Sequence, residues 1–144
     1  MPNPVVAAVF EKLGGRGALG TEVASEADLA RIVQRRIPLK VLGHVRRYLS
    51  KVEIRTFIIP DRTMRHRLQK KQPLTVDESD RLVRMTRIQA LAEGVFDDGE
   101  KAKRWLREPL GELGDAPPLA VAQTEAGARV VEQILAKIDW GAAA

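Results

Sequence analysis

Residues able to do covalent or metal chemistry are scarce in this sequence. Its 144 residues include no cysteine and two histidines, His44 and His66. Disulfides, cysteine–zinc sites and thiol nucleophiles are therefore excluded. One histidine follows Gly43 and the other lies among arginines, which is not the ligand set of a transition-metal site. Asp77, Glu78 and Asp80 look like a metal cluster by composition, but they fall in the first turn of an expected helix, where acids offset the helix dipole. Asp97-Asp98-Gly99-Glu100 is too short to be a calcium loop. Neither histidine stands in a nucleophile–base arrangement, so no enzyme and no cofactor is expected.

A literal G-x-G-x-x-G occurs as Gly15-Arg16-Gly17-Ala18-Leu19-Gly20. A dinucleotide site would need a strand directly before it and an acid about 20 residues further on. The apolar run at 5–10 ends too early, and Lys40 stands where the acid belongs. These glycines instead make the middle of a flexible N-terminal segment over residues 1–24, which reads as a short helix or tail followed by a loop.

Recognition of an anionic polymer is the chemistry with more support. Residues 31–71 hold 13 Lys and Arg against two acids, Glu53 and Asp61, whereas residues 1–30 carry −2 and residues 72–144 carry −4 within a net charge of +5. A basic module followed by a mildly acidic one suits phosphate contacts in the first. Two short helices at 51–58 and 62–70, joined by a three-residue turn, outline a helix-turn-helix. With Met64 and Leu68 facing inward, Arg62, Thr63, Arg65, His66 and Gln69 would lie on the groove side. Arginine suits bidentate contact with guanine, and glutamine with adenine. Lys51, Arg55, Lys70 and Lys71 are placed to hold phosphates, which fixes position without sequence choice. The turn, Ile58-Ile59-Pro60, lacks the glycine often found there, so an ordinary helical hairpin with charged faces stays open, as does an RNA-binding helical module.

The elements that must position these residues are helical throughout. Ser25 can cap a helix carrying Leu29, Ile32, Val33 and Ile37. Pro38 interrupts it, and a second helix takes Leu39, Leu42, Val45 and Leu49. Ser50 with Glu53, and Thr75 with Glu78, match capping boxes. Asp61 is expected to cap the second short helix. The helix opened by Thr75 is the longest, with Leu82, Met85, Ile88, Leu91, Ala92, Val95 and Phe96 on a broad face. One centred on Ala102, Trp105 and Leu106 follows Asp98-Gly99. After a Pro- and Gly-marked loop, the last helix starts from Thr124 with a stripe of Val130, Val131, Ile134, Leu135 and Ile138. Gly127 on its inner side implies close approach of another backbone. The helix is expected to end near Asp139. Strand signals are nearly absent, so the fold class is all-α. Apolar residues make up 44% of the chain, enough for a core. No apolar run nears the ~18–20 residues that cross a bilayer. The N-terminus has no basic leader, so the expectation is a cytoplasmic protein without a membrane partner.

The stretch Gln72-Pro73-Leu74-Thr75-Val76-Asp77-Glu78-Ser79-Asp80-Arg81-Leu82 resembles the MbcA/ParS/Xre antitoxin family. The likeness continues through Phe96-Asp97-Asp98-Gly99-Glu100-Lys101-Ala102, Arg104-Trp105-Leu106 and Pro109. It resumes at Pro118-Leu119, Thr124-Glu125-Ala126-Gly127 and the helix of Val131 and Leu135, covering about residues 50–141 in the family's order. The chain departs from the family where Phe96-Asp97-Asp98 replaces Phe-Gly-Asp, Pro109-Leu110 replaces Pro-Asn, and Gly114-Asp115 replaces paired glycines.

The resemblance implies a type II antitoxin with an Xre/Cro-like helix-turn-helix at 25–72 and a helical toxin-binding, dimerising domain at 73–144. The implied partners are a cognate RES-domain toxin that consumes NAD or ADP-ribosylates a protein, operator DNA for autorepression, and a second copy of the chain. In the family the C-terminal end covers the toxin's NAD pocket. Asp139, Trp140, Gly141, Ala142, Ala143 and Ala144 are the matching end here: an aromatic to fill a cleft, small residues for a narrow pocket, and a carboxylate for a basic phosphate site. Two alternatives stay open. Trp140 can pack on the chain's own core with frayed alanines beyond it, and the chain can be a free-standing dimeric regulator without a toxin.

Overall fold

The computed structural model describes residues 3–143, and among these every regular element is helical. The helices are α1 (Pro4–Lys12), α2 (Gly15–Leu19), α3 (Glu26–Gln34), α4 (Val41–Val45), α5 (Lys51–Phe57), α6 (Asp61–Lys70), α7 (Val76–Phe96), α8 (Gly99–Arg107), α9 (Pro118–Val121) and α10 (Glu125–Ala143). They divide into two compact units, one running to Thr86 and the other beginning at Arg87.

In the first unit the N-terminal segment opens on a short helix, one of the two forms expected of it, and the loop expected over its glycines is replaced by a second helix. The Asn3 side chain accepts from the amides of Val5 and Val6, starting α1. Val6, Val9 and Leu13 then recur at helical spacing and are wholly buried. The glycine run becomes α2 and its caps rather than a phosphate loop after a strand. Gly14 is needed for two reasons. Its φ is +103°, and a Cβ there would stand 2.6 Å from the His44 ring.

Ser25 and Asp28 exchange bonds in a capping box at the start of α3, and Ser50 and Glu53 do the same for α5. Between them α4 is shorter than expected. It ends at Val45, and Tyr48 and Leu49 reach the core from the turns that follow. Tyr48 is held there by a 2.9 Å bond between its hydroxyl and that of Thr86.

The first half of α7 belongs to this unit. The Leu74 amide donates to the Ile37 carbonyl at 2.9 Å, and the Ser79 hydroxyl accepts from the Ile37 amide at 2.9 Å. The Arg36 guanidinium donates to the carbonyls of Leu74 and Pro73. These bonds are why the division falls after Thr86, further along than the change of charge at residue 72.

In the second unit, α7 continues with Ile88, Ala90 and Ala92 buried, and the Asp98 side chain caps α8. Trp105 is half-buried against Phe96, their ring centroids 5.6 Å apart. A 3-10 turn at Gly111–Leu113, closed by pairing of Leu110 with Ala116, leads to α9. A Cβ on Gly127 would sit 1.8 Å from the Val121 carbonyl oxygen, so glycine lets α9 and α10 meet backbone to backbone. On α10, Ala128, Val131, Ile134 and Leu135 are buried, whereas Val130 from the expected stripe is 42% exposed. The helix does not stop near Asp139. It runs on to Ala143.

Candidate functional site

The basic face is built on α5, α6 and the turn between them. That turn works without glycine because none of its three residues takes a positive φ. Ile58 and Ile59 are each 1% exposed and anchor it from inside. The Arg81 guanidinium donates twice to the Ile58 carbonyl, at 2.9 and 3.2 Å, covering a peptide oxygen that the end of α5 leaves free.

Asp61 does not cap α6. Pro60 holds the cap position without a side-chain bond, and Asp61, as the first helical residue, accepts from Arg55 at 3.2 Å.

The orientation of α6 corrects one expectation. Its inward arc comprises Thr63, Met64 and Arg67, all half-buried, and no residue of the helix is fully buried. Leu68 is 57% exposed instead of facing the core. The cause is Arg67, whose guanidinium makes a two-pronged bond to the Glu78 carboxylate at the start of α7. Seating residue 67 inward rotates residue 68 by about 100° toward solvent. Thr63, assigned to the groove side by sequence, is likewise turned partly inward.

Glu78 is the hinge of this contact. Burial pushes its carboxyl up, but bonds from Arg67 and from the Thr75 amide outweigh burial and hold it below the ordinary carboxylate value. Nothing in the sequence pattern pairs Arg67 with Glu78. The available signal is the capping box, which already fixes the glutamate at the base of α7.

The outward arc of α6 is therefore Arg62, Arg65, Leu68 and Gln69, flanked by His66 and Lys70, all exposed. Among the described residues Arg62 and Arg65 make no ion pair, so their charge is available to a ligand, unlike that of Arg55 or Arg67. Lys51 is exposed at the start of α5, and Lys71 is exposed at the end of α6 in a left-handed conformation with φ +54°.

A second surface lies on the other unit. Along α10 a shallow groove of about 450 Å³ has Leu91, Val95 and Leu135 in its floor and Arg129, Glu132 and Asp139 at its edge. One residue beyond Asp139, Trp140 is 77% exposed. It therefore does not pack on the chain's own core. Gly141 is exposed beside it. The Ala142 and Ala143 side chains, and Ala144 as a whole, lie outside the described residues.

The two histidines hold separate positions. His44 lines a hollow with Gly14, Glu11 and Arg47, and His66 is exposed on α6. Among the described residues no three of His, Asp and Glu converge as metal ligands, and no helix is long and apolar enough to cross a membrane.

Residues 28–87 match the Xre-like helix-turn-helix domain of antitoxins, and residues 91–141 match the Xre/MbcA/ParS antitoxin C-terminal toxin-binding domain. The chain is similar to the antitoxin Xre of Pseudomonas putida, 46% identical over 93 residues that span 65% of this chain and 58% of that protein. It is also similar to the antitoxin Xre of Yersinia enterocolitica, 31% identical over 68% of each chain. A Sphingobium protein named Prs ADP-ribosylating antitoxin is 30% identical over 56% of each.

Proposed function

The chain belongs to the Xre/MbcA/ParS antitoxin family, and from that premise we propose that it neutralises a cognate RES-type toxin by covering its active site. The toxin's chemistry is consumption of NAD or ADP-ribosylation of a protein. ADP-ribosylation is the chemistry in the name of the Sphingobium relative. The observation that carries this reading is Trp140, 77% exposed at the end of a unit matched by the toxin-binding domain. A large exposed aromatic is the residue type that anchors interfaces. Asp139, Gly141, Ala142, Ala143 and Ala144 complete the contacting end. Because the chain runs helical to Ala143, it presents a helix end to the toxin rather than an extended tail.

The same reading gives the basic unit its role. A dimer of the chain binds operator DNA, with Arg62, Arg65 and Gln69 toward the bases and Lys51, Lys70 and Lys71 toward phosphates, and represses its own operon. Arg55, expected to join them, is engaged by Asp61.

The experiment is co-expression with the product of the adjacent gene. The full chain restores growth and cellular NAD and co-purifies with that product, whereas a chain ending at Ile138 loses the rescue and keeps its dimeric state. Equal rescue by both chains would move the toxin contact away from the end of α10, and no rescue or co-purification by either would make the chain a free-standing dimeric regulator.

A further inference from the structure

Leu68 is the one large apolar side chain on the outward arc of α6, 57% exposed between free cations. At 100° per residue it lies on the same side as Arg65, one turn further along, and beside Gln69. A leucine in that position gains nothing from water. A second copy of this face is a poor occupant, because residues 31–71 carry 13 basic residues against two acids and two such faces repel. Duplex DNA fits the charge. Its major groove presents hydrogen-bonding atoms almost throughout, and the apolar group at its base edges is the thymine C5-methyl.

We infer that Leu68 is a base-reading residue that selects thymine by packing on its methyl group. This rests on the proposed DNA-binding role of α6. Arg65 and Leu68 are about 4.5 Å apart along the helix axis, little more than the ~3.4 Å between base pairs. The thymine therefore lies one or two base pairs from the base contacted by Arg65. The selectivity is one that phosphate-holding arginines and lysines cannot supply, because phosphates are alike in every sequence.

The test uses the full chain and duplexes that it enriches from a random-sequence pool. Each thymine of an enriched duplex is replaced in turn by deoxyuridine, which removes the methyl and leaves the base-pairing edge intact. At one position per half-site the wild type should lose about fourfold in affinity, the worth of one buried methyl-sized group (~0.8 kcal/mol). Leu68→Ala should bind the thymine and deoxyuridine duplexes equally, with an unchanged melting temperature, and should enrich duplexes with no thymine preference at that position.

An equal drop by Leu68→Ala on both duplexes, or no thymine position at which the wild type responds, overturns the assignment while leaving DNA binding intact. A changed oligomeric state or loss of the toxin complex in Leu68→Ala overturns it in favour of a protein contact. If the wild type enriches no duplex, the DNA-binding reading itself fails, and the assignment with it.

Discussion

Arg62 and Arg65 stand three residues apart on the outward arc of α6 with their charges unengaged, and Lys70 closes the same helix. Arginine at such a position can specify a base, whereas a lysine at a helix end holds a phosphate as a point charge. Replacing both Arg62 and Arg65 by alanine should weaken operator binding by about 1–3 kcal/mol for each arginine–base bond removed and broaden the bases tolerated. Competitive enrichment from a mixed duplex pool measures both effects, and unchanged affinity and preference would remove α6 from the role of reading helix. Lys70→Ala should instead weaken all duplexes alike and reduce the salt slope of binding by about one. Titrations at several salt concentrations check this, and a sequence-dependent loss would contradict it.

The elements are held by a few side chains that the sequence pattern only partly reveals. The Glu78 carboxyl is held below its ordinary value by Arg67 and Thr75 despite burial. The unfolded chain therefore takes up its proton at higher pH than the folded chain does. The stability from this group is complete above the ordinary carboxylate range and is lost as pH falls through the folded value. Glu78→Gln should cost about 1–3 kcal/mol near neutral pH. It should also flatten the acid side of the stability curve relative to wild type. Denaturant melts between neutral and acid pH test this, and parallel curves for the two proteins would contradict it. Gly127→Ala forces a Cβ onto the Val121 carbonyl. It should destabilise by about 1–3 kcal/mol, read as a fall in melting temperature, and an unchanged midpoint would show that the α9–α10 contact yields freely.

The capping boxes at Ser50 and Thr75 and the close approach at Gly127 are legible in the sequence because each is fixed by residues near one another along the chain. The facing of α6 is not. It depends on Arg67 meeting Glu78, and a charged residue on the inward side hides from a hydrophobic period. The same limit conceals Ser79, Thr86 and Gln89, which are wholly buried on α7. The second helix is hidden for another reason, because the glycines that build and cap it read as a loop.

At the scale of the molecule, two units of opposite charge carry the two proposed activities. The first half of α7 and the residues leading into it are tied to the rest of the basic unit by Arg36, Arg67 and Arg81, each bonded across the sequence. The second unit ends in a helix whose last turns leave Asp139 and Trp140 in solvent. Candidate residues at this end are visible in the sequence through the family resemblance, but their conformation is not, because helix termini are set by local capping and fraying as much as by pattern. Asp139, Trp140 and Gly141 are exposed, and the α10 side chains described as buried, Ala128, Val131, Ile134 and Leu135, all precede residue 139. Removing residues 139–144 should therefore leave folding intact and affect only what the end touches.

The most direct measurement is NAD turnover, or ADP-ribosyl transfer, by the purified cognate toxin titrated with this chain. The full chain should bring the rate to zero at a fixed stoichiometry, while the chain ending at Ile138, folded and with the same melting temperature, should leave it close to that of toxin alone. Equal inhibition by the truncated chain would contradict occlusion by the end of α10.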